Sequence, residues 1–379
     1  MGTETSEPQT SKPRLLLISY SDISTDARVL KQVKLASKNW DVTTLGYGPK
    51  PADSSEHIEI SRTPPPFALD GRKITSKIYP WVYWSLPGVK ASLKALAGRS
   101  FDKVFANEID AVPIALKVGA KLGVHADLHE YYPAYYDYQP AWKRRIRPYV
   151  EWQCRKFLPR VNSVTAASQG FADLYKRDFG IDAEVVFNAA PYWDLDPTPI
   201  HEPLRLVTHG SAHRNRQALN MVEAVKMANT DATLDVYLTP MDPEYIEVLK
   251  KAAADEPRIR ICDPLPYADL IPTLNSYDVG LHLIPTTHDN LTYAQTNKSM
   301  DYVQARIGMI ANKQPGTERF VQDYSLGELV VGYEAADFAQ AIEALTAEKA
   351  WKWKLAADLA AEELRADRIM GPWEAALTL

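Results

Sequence analysis

The chain has 379 residues, 46% of them hydrophobic and 24% charged, with a net charge of −5. This is enough chain for two ordinary domains and excludes a low-complexity polymer; no apolar run reaches the roughly 18 residues of a membrane span, and the two distant cysteines, Cys154 and Cys262, offer no disulfide framework and fit a reduced, cytoplasmic setting. Charge is uneven, with 26 Lys and Arg against 22 Asp and Glu in residues 1–200 but 17 against 26 in residues 201–379, which favours an anionic partner on the N-terminal half.

Residues 1–12 are polar and read as a disordered tail. They lack the apolar stretch of a secretory signal, and MGTETS fits the myristoylation pattern at Gly2 and Ser6. RLLLISY (14–20) reads as a buried strand, and DARVLKQVKLASKN after it carries apolar residues at helical spacing. DVTTLGY, KVFANE, VHADLHE, NSVTAAS and AEVVFN continue the strands, with helices between most of them. Such alternation predicts a parallel sheet with helices on both faces. APYWDLDPTPIHEPL, ending at Leu204, holds four prolines and no periodicity and reads as a linker. Beyond it the pattern restarts with LRLVTHG, TLDVYL, RIRICDPL, VGLHLIP, GMIAN and ELVVGY.

The expected fold is therefore α/β, two Rossmann-like domains facing each other across a cleft. Residues 13–192 form the first domain, 193–203 the linker and 204–355 the second, with a C-terminal helix over 356–379 packing back on the first. Ligands of open α/β sheets bind outside the carboxyl ends of the strands, so the residues that follow each strand carry the functional reading. A nicotinamide or flavin enzyme would show G-x-G-x-x-G after the first strand. That turn here is SYSDISTDARV, without a glycine, and a P-loop is absent too.

The stretch TYAQTNKSMDYVQARIGMIAN (292–312) places Lys298 and Asp301 three residues apart on a helix that leads into an apolar strand. With Thr296 as its cap, a helix starting at Asn297 would turn free N–H groups and Lys298 toward an anion. Asp301 would share that face and accept two hydrogen bonds, as a ribose diol requires. The competing reading is a surface ion pair on an amphipathic helix. Asp194 and Asp196 fit the D-x-D pattern that holds a divalent cation on a nucleotide diphosphate, but they lie in the proline-rich linker. No His/Cys cluster has ligand spacing, so no metal site is expected.

YDVGLHLIP, then TNKSMDYVQA and IGMIAN, resembles the C-terminal signature of GT-B glycosyltransferases of the retaining family-four type. The resemblance implies that Lys298 contacts a diphosphate and Asp301 a ribose. The chain departs from the family in having Asp301 where glutamate is usual, and Tyr293 where a second glutamate usually contacts the transferred sugar. VTHGSAHRNRQALNMVEAV is similar to the family's first donor-domain strand and turn. There Gly210 would let backbone approach phosphate, and Arg216, or failing that Arg214, would clamp it bidentately; an exposed arginine at a helix start is the other reading of each. VHADLHEYYP resembles the family's histidine–acid pair, His129 and Glu130, in which the histidine contacts the donor sugar. STDARVLKQ is similar to the turn after the first strand, with Asp26 as a helix cap and Arg28 facing the acceptor side. FANEID and FNAAP match further strand ends, offering Asn107, Glu108 and Asn188.

What the resemblance implies is a metal-independent transferase that moves a sugar from a nucleotide-diphosphate sugar to a glycan, lipid-linked or small-molecule acceptor, needs no cofactor, and works in polysaccharide biosynthesis with retention of configuration. An inverting enzyme would instead need a general base, for which Glu130, Asp127 and Glu108 are the candidates. Between 131 and 160, Tyr131, Tyr135, Trp142 and Trp152 interleave with Lys143, Arg144, Arg145, Arg147, Arg155 and Lys156. That run reads either as a surface for anionic lipid headgroups at the inner face of a membrane or as a solvated helix whose aromatics reach the core. A nucleic-acid partner is not expected, since it would explain none of the second-half features. The non-enzyme alternative is a degenerate GT-B protein that binds a glycan or a partner chain.

Overall fold

The computed structural model describes residues 12–65 and 67–378, apart from the side chain of Asn215. The tail reading and the myristoylation pattern lie outside the described residues. Two compact units emerge. The first holds the described residues up to Ala166, Tyr175–Glu184 and the stretch from Pro372, and the second holds Ala167–Leu174 and Val185–Gly371.

The first unit is a seven-stranded sheet of order β3-β2-β1-β4-β5-β6-β7, built from β1 Arg14–Asp22, β2 Asp41–Tyr47, β3 Glu56–Glu59, β4 Lys103–Asn107, β5 Val124–Leu128, β6 Ser163–Ala166 and β7 Glu184–Val185. The central strands are buried on both faces. Leu15, Leu16, Leu17 and Ile18 are wholly inaccessible, which is why β1 reads as a continuous apolar run rather than an alternating one. The edge strand β3, EHIE, has no such run and stays half-exposed; the strand pattern of the sequence misses it for that reason. Register places Asn107 of β4 beside Ser19 of β1 and Asp127 of β5, so these side chains gather at the carboxyl ends of neighbouring strands. Asp26 caps the helix Ala27–Ser37, accepting from the N–H groups of Arg28 and Val29, as the sequence suggests.

The second unit is a six-stranded sheet of order β10-β9-β8-β11-β12-β13, with β8 Arg205–Ser211, β9 Thr233–Thr239, β10 Ile259–Cys262, β11 Val279–His282, β12 Gly308–Asn312 and β13 Gly327–Val330. Its ladders are parallel. The strand order reverses between β8 and β11, the place where open α/β sheets bind ligands. The expected fold class, two Rossmann-like α/β units, is thus the observed one.

Residues 193–203 have no regular structure but are strapped to the second unit. Asn275 Nδ2 donates to the Asp196 carbonyl at 3.0 Å, Arg306 Nη2 to that of Trp193 at 2.7 Å, and Lys354 Nζ to that of Thr198 at 3.0 Å. The long helix Ala347–Glu363 packs on this unit through the helix Asn297–Gln304 and β12. The short helix Gly371–Leu377 belongs to the first unit, anchored by the fully buried Trp373.

Candidate active site

In the second unit the site grows from the reversal point of the sheet. β8 ends in Thr208, His209 and Gly210, and β11 ends in His282. The helix Asn297–Gln304 starts nearby, because Lys298 Nζ donates to Thr208 Oγ1 at 3.1 Å. Gly210 has φ +131°, and a Cβ there would stand 3.8 Å from the Lys298 Cε, so an exposed stretch of backbone runs beside that side chain. Thr296 occupies the cap position, but its hydroxyl makes no bond to the first amides of the helix. It shares a 2.6 Å hydrogen bond with His282 Nε2 instead. The first turn therefore lacks a side-chain cap, which leaves its amide dipoles to an outside anion.

Electrostatics point the same way. Burial, and after it the charge of Arg216, push the Lys298 ammonium down to about 7, against a smaller opposing pull from Asp301. Two half-buried cations thus repel one another, which an anion would relieve. Burial and the charge of Lys298 drive His209 down to about 3, and burial with Lys298 and Arg216 holds His282 well below its ordinary value. Both imidazoles are neutral, and His209 Nε2 and His282 Nδ1 are buried without a hydrogen-bond partner. Asp301 is only 6% exposed, with its Oδ2 at 3.7 Å from His209 Nε2. It is no solvated surface group, and the simple surface-pair reading falls.

Of the residues singled out from sequence, Gly210, Arg216, Lys298 and Asp301 come together here, with the exposed Asn297 at the helix start. Arg214 turns elsewhere, its Nε at 3.0 Å from Asp242 Oδ2 and its guanidinium over the Tyr245 ring. His209, Thr208 and His282 were missed. A histidine directly before the glycine turn, at a strand end, was the available signal for His209.

The first unit gathers a second cluster. Asp127, fully buried on β5, accepts from Arg28 Nε at 2.8 Å and Nη2 at 2.7 Å, Gln32 Nε2 at 2.6 Å, Thr165 Oγ1 at 2.6 Å and Trp373 Nε1 at 3.3 Å. Arg28, expected toward an acceptor, is instead 5% exposed and forked onto this carboxylate, with its guanidinium 4.8 Å from the Trp373 ring centroid. A buried carboxylate requires such a partner, and that requirement decides where Arg28 points. The Asp127 carboxyl lies well below the usual range: burial opposes this, but Arg28 and His129 outweigh it.

His129 follows β5, with Nε2 at 3.1 Å from Asp127 Oδ2 and 2.9 Å from Asn107 Oδ1. Glu108 has a left-handed backbone, φ +66°, rare for a residue with a side chain. Its Oε1 accepts the His129 backbone N–H at 3.1 Å, and its Oε2 is buried without a partner. Burial first, against the pull of His129 and with neighbouring carboxylates adding, lifts Glu108 to about 8. Glu130 is half-buried, and its backbone carbonyl takes the Tyr175 hydroxyl.

In the 131–160 run, Tyr131, Tyr149 and Phe157 are buried and the half-buried Trp142 donates to the Pro133 carbonyl, so part of its aromatic set serves the core. Tyr136, Tyr138, Lys143, Arg144 and Arg145 remain exposed. Among the described residues no helix is long and apolar enough to cross a membrane, and no group of three or more His, Cys, Asp or Glu side chains could hold a metal ion.

No protein-family model matches the chain, and a search of curated proteins finds no match. Solved structures do. A glycosyltransferase from Rickettsia africae aligns over 97% of this chain and 99% of its own at TM-score 0.64 and 14% identity. A sucrose-phosphate synthase from Thermosynechococcus elongatus aligns over 97% and 96% at TM-score 0.66 and 15% identity. The Anabaena protein HepE, in complex with UDP and glucose, aligns over 96% and 99% at TM-score 0.65 and 14% identity. At such identities the likeness concerns the fold, which is the GT-B fold that the residue pattern led us to expect.

Proposed function

We propose that this chain is a glycosyltransferase that takes its sugar from a nucleotide diphosphate. The observation that carries the reading is the mutual repulsion of the half-buried Lys298 and Arg216, beside an uncapped helix start and the buried carboxylate of Asp301. Lys298, Arg216 and the amides at Gly210 and Asn297 would neutralise the diphosphate as it departs, which is electrostatic stabilisation at the atoms where charge develops. Asp301 would accept from the ribose hydroxyls. With fixed donors in these positions the transfer proceeds without a metal ion, and with the anomeric configuration retained. That HepE, of similar fold, was solved with UDP and glucose supports a nucleotide-sugar donor.

His129, beside Glu130, would contact the transferred sugar, while the acceptor falls to the first unit, through Asn107 and Glu108. Its exposed cations Lys143, Arg144 and Arg145 suit a glycan on an anionic lipid, with peripheral contact at the inner face of a membrane. A second reading, a binding module without turnover, is favoured by Tyr293, which puts no carboxylate where a transferred sugar would sit.

Thermal unfolding with UDP, GDP, ADP, TDP and NAD, each with and without magnesium, tests the donor site. A diphosphate at 100 times its Kd should add roughly 2.7 kcal/mol. The expected outcome is stabilisation by one diphosphate without magnesium, cut to about half or less in Lys298→Ala and in Asp301→Ala. If no diphosphate stabilises the protein, the donor site is wrong. If one stabilises but its sugar form is never hydrolysed or transferred, the binding-module reading stands.

A further inference from the structure

The helices Gly71–Thr75 and Tyr79–Trp84 of the first unit carry apolar surface that the fold does not use. Their inner face is already filled: Ile74, Val82 and Tyr83 are buried, and the Tyr79 ring meets those of Tyr149 and Trp152 at 5.8 Å each. Yet Ile78 is 57% exposed and Trp81 51%. The corner that presents them is strained, since Lys77 adopts a left-handed backbone with φ +58°. A residue with a side chain keeps such a conformation only where its surroundings impose it.

Cations surround the apolar pair. Between Gly71 and Lys94 the chain has five Lys and Arg and no Asp or Glu. Arg72 and Lys77 are exposed, and Lys73 sets its Nζ 4.8 Å from the Trp81 ring centroid. The helix Gly71–Thr75 packs against the turn Trp142–Ile146, which adds the exposed Lys143, Arg144 and Arg145 from a distant part of the sequence.

The chemistry selects among partners. Lysine is depleted where two proteins meet, so a protein partner fits this surface poorly. Single-stranded nucleic acid would stack its bases on rings, which leaves Ile78 without a role. An anionic bilayer uses all three features: cations for its headgroups, an indole for the interfacial layer and an aliphatic side chain for the acyl boundary.

We propose that Ile78 and Trp81 insert into an anionic lipid surface, with the basic segments around Lys73 and Arg144 holding the first unit against its headgroups. The 131–160 run supplies only the cations of one flank. The apolar anchor comes from the other flank, and the packing of the short helices makes the two one surface. The contact itself does not depend on the glycosyl-transfer reading; its use, delivery of the site to a lipid-borne acceptor, rests on that reading.

Flotation of the full-length protein with vesicles rich in phosphatidylglycerol, at about 0.15 M salt, tests it. Ile78→Ser combined with Trp81→Ala should lower partitioning about 10- to 100-fold, the scale of one fully inserted apolar side chain. The unfolding midpoint should stay unchanged, since both side chains are exposed. Flotation equal to wild type would overturn the proposal. Trp81→Phe keeps the anchor apolar and gives a second readout among the nine tryptophans. Lipids brominated near the headgroup should quench a larger share of the emission in the wild type than in Trp81→Phe, and equal quenching would refute insertion. Retention on single-stranded DNA without flotation would assign the surface to nucleic acid and overturn the proposal as well. No sugar nucleotide enters these assays, so an empty donor site leaves them untouched, and lost flotation beside a normal diphosphate response fails this proposal alone.

Discussion

Lys298 is the residue whose chemistry is most exposed to test. Its folded value near 7 lies below the ordinary lysine value of about 10.4. Between those limits the unfolded chain binds more protons than the folded one, so stability rises with pH across that window and the strain is greatest below about 7. An anion beside the ammonium raises its value again, and binding must therefore take up a proton. The expected outcome is a diphosphate affinity that falls as pH climbs above about 7, by at most tenfold per unit, with net proton uptake approaching one at about pH 8. Calorimetry in two buffers of different ionisation enthalpy measures it directly. Lys298→Ala should abolish the uptake and weaken binding about 10- to 100-fold, the scale of one lost hydrogen bond to a charged group. Uptake unchanged in that variant would move the effect to another group. Thr296 shows what sequence cannot reveal at this scale. The residue and its cap position were legible, but its partner was not, because His282 sits fourteen residues earlier on another element.

At the scale of elements, the helix Asn297–Gln304 is placed by Tyr302. Its ring is fully buried, its hydroxyl donates to the Val207 and Leu281 carbonyls at 3.2 and 3.0 Å, and it lies flat against Gly280, where a Cβ would come within 2.4 Å of it. The ring is rigid and cannot yield cheaply. Gly280→Ala should therefore cost about 1–3 kcal/mol in urea denaturation and weaken the diphosphate response, since Lys298 and Asp301 ride on the displaced helix. Gly371→Ala, where a Cβ meets nothing within 4 Å, is the matched control and should leave both unchanged. Strand existence was readable because apolar runs survive burial on both faces, and the central strands fall where those runs are. The edge strand β3 was not, because pairing rather than side-chain pattern defines it, and β7 keeps only two residues, Glu184 and Val185, of the run AEVVFN.

Across the whole molecule, the acidic excess of the C-terminal half coexists with the paired cations Lys298 and Arg216, so net charge would have misdirected a search for the anion site proposed there. The order of weak motifs brought Lys298, Arg216, Gly210 and Asp301 together because Gly210 lies in the exposed end of a strand, Arg216 and Lys298 stand at helix starts and Asp301 follows one turn on, where local sequence dictates position. Arg28 was misread because its partner, Asp127, is 99 residues away. Surface charge has its own test. The exposed cations Lys143, Arg144 and Arg145, with the exposed rings of Tyr136 and Tyr138, should float the protein with vesicles rich in phosphatidylglycerol, less so with each increment of salt. Replacing the three cations by serine should leave it unfloated with the same anionic vesicles. Equal flotation on neutral vesicles would dismiss the headgroup contact.

Trp373 carries a consequence for how the protein comes into being. Its indole closes the buried Asp127 cluster across 246 positions of chain, so the first unit is completed only after the second has been synthesised. Until then Arg28 and Asp127 lack their cover, and the closing contact bears the entropy of a very long loop. Folding of the N-terminal unit is thus tied to synthesis of the second: a product cut short before residue 371 would keep its strands yet leave a charged pair bare at its centre, marked as incomplete for any protease that samples exposed interiors.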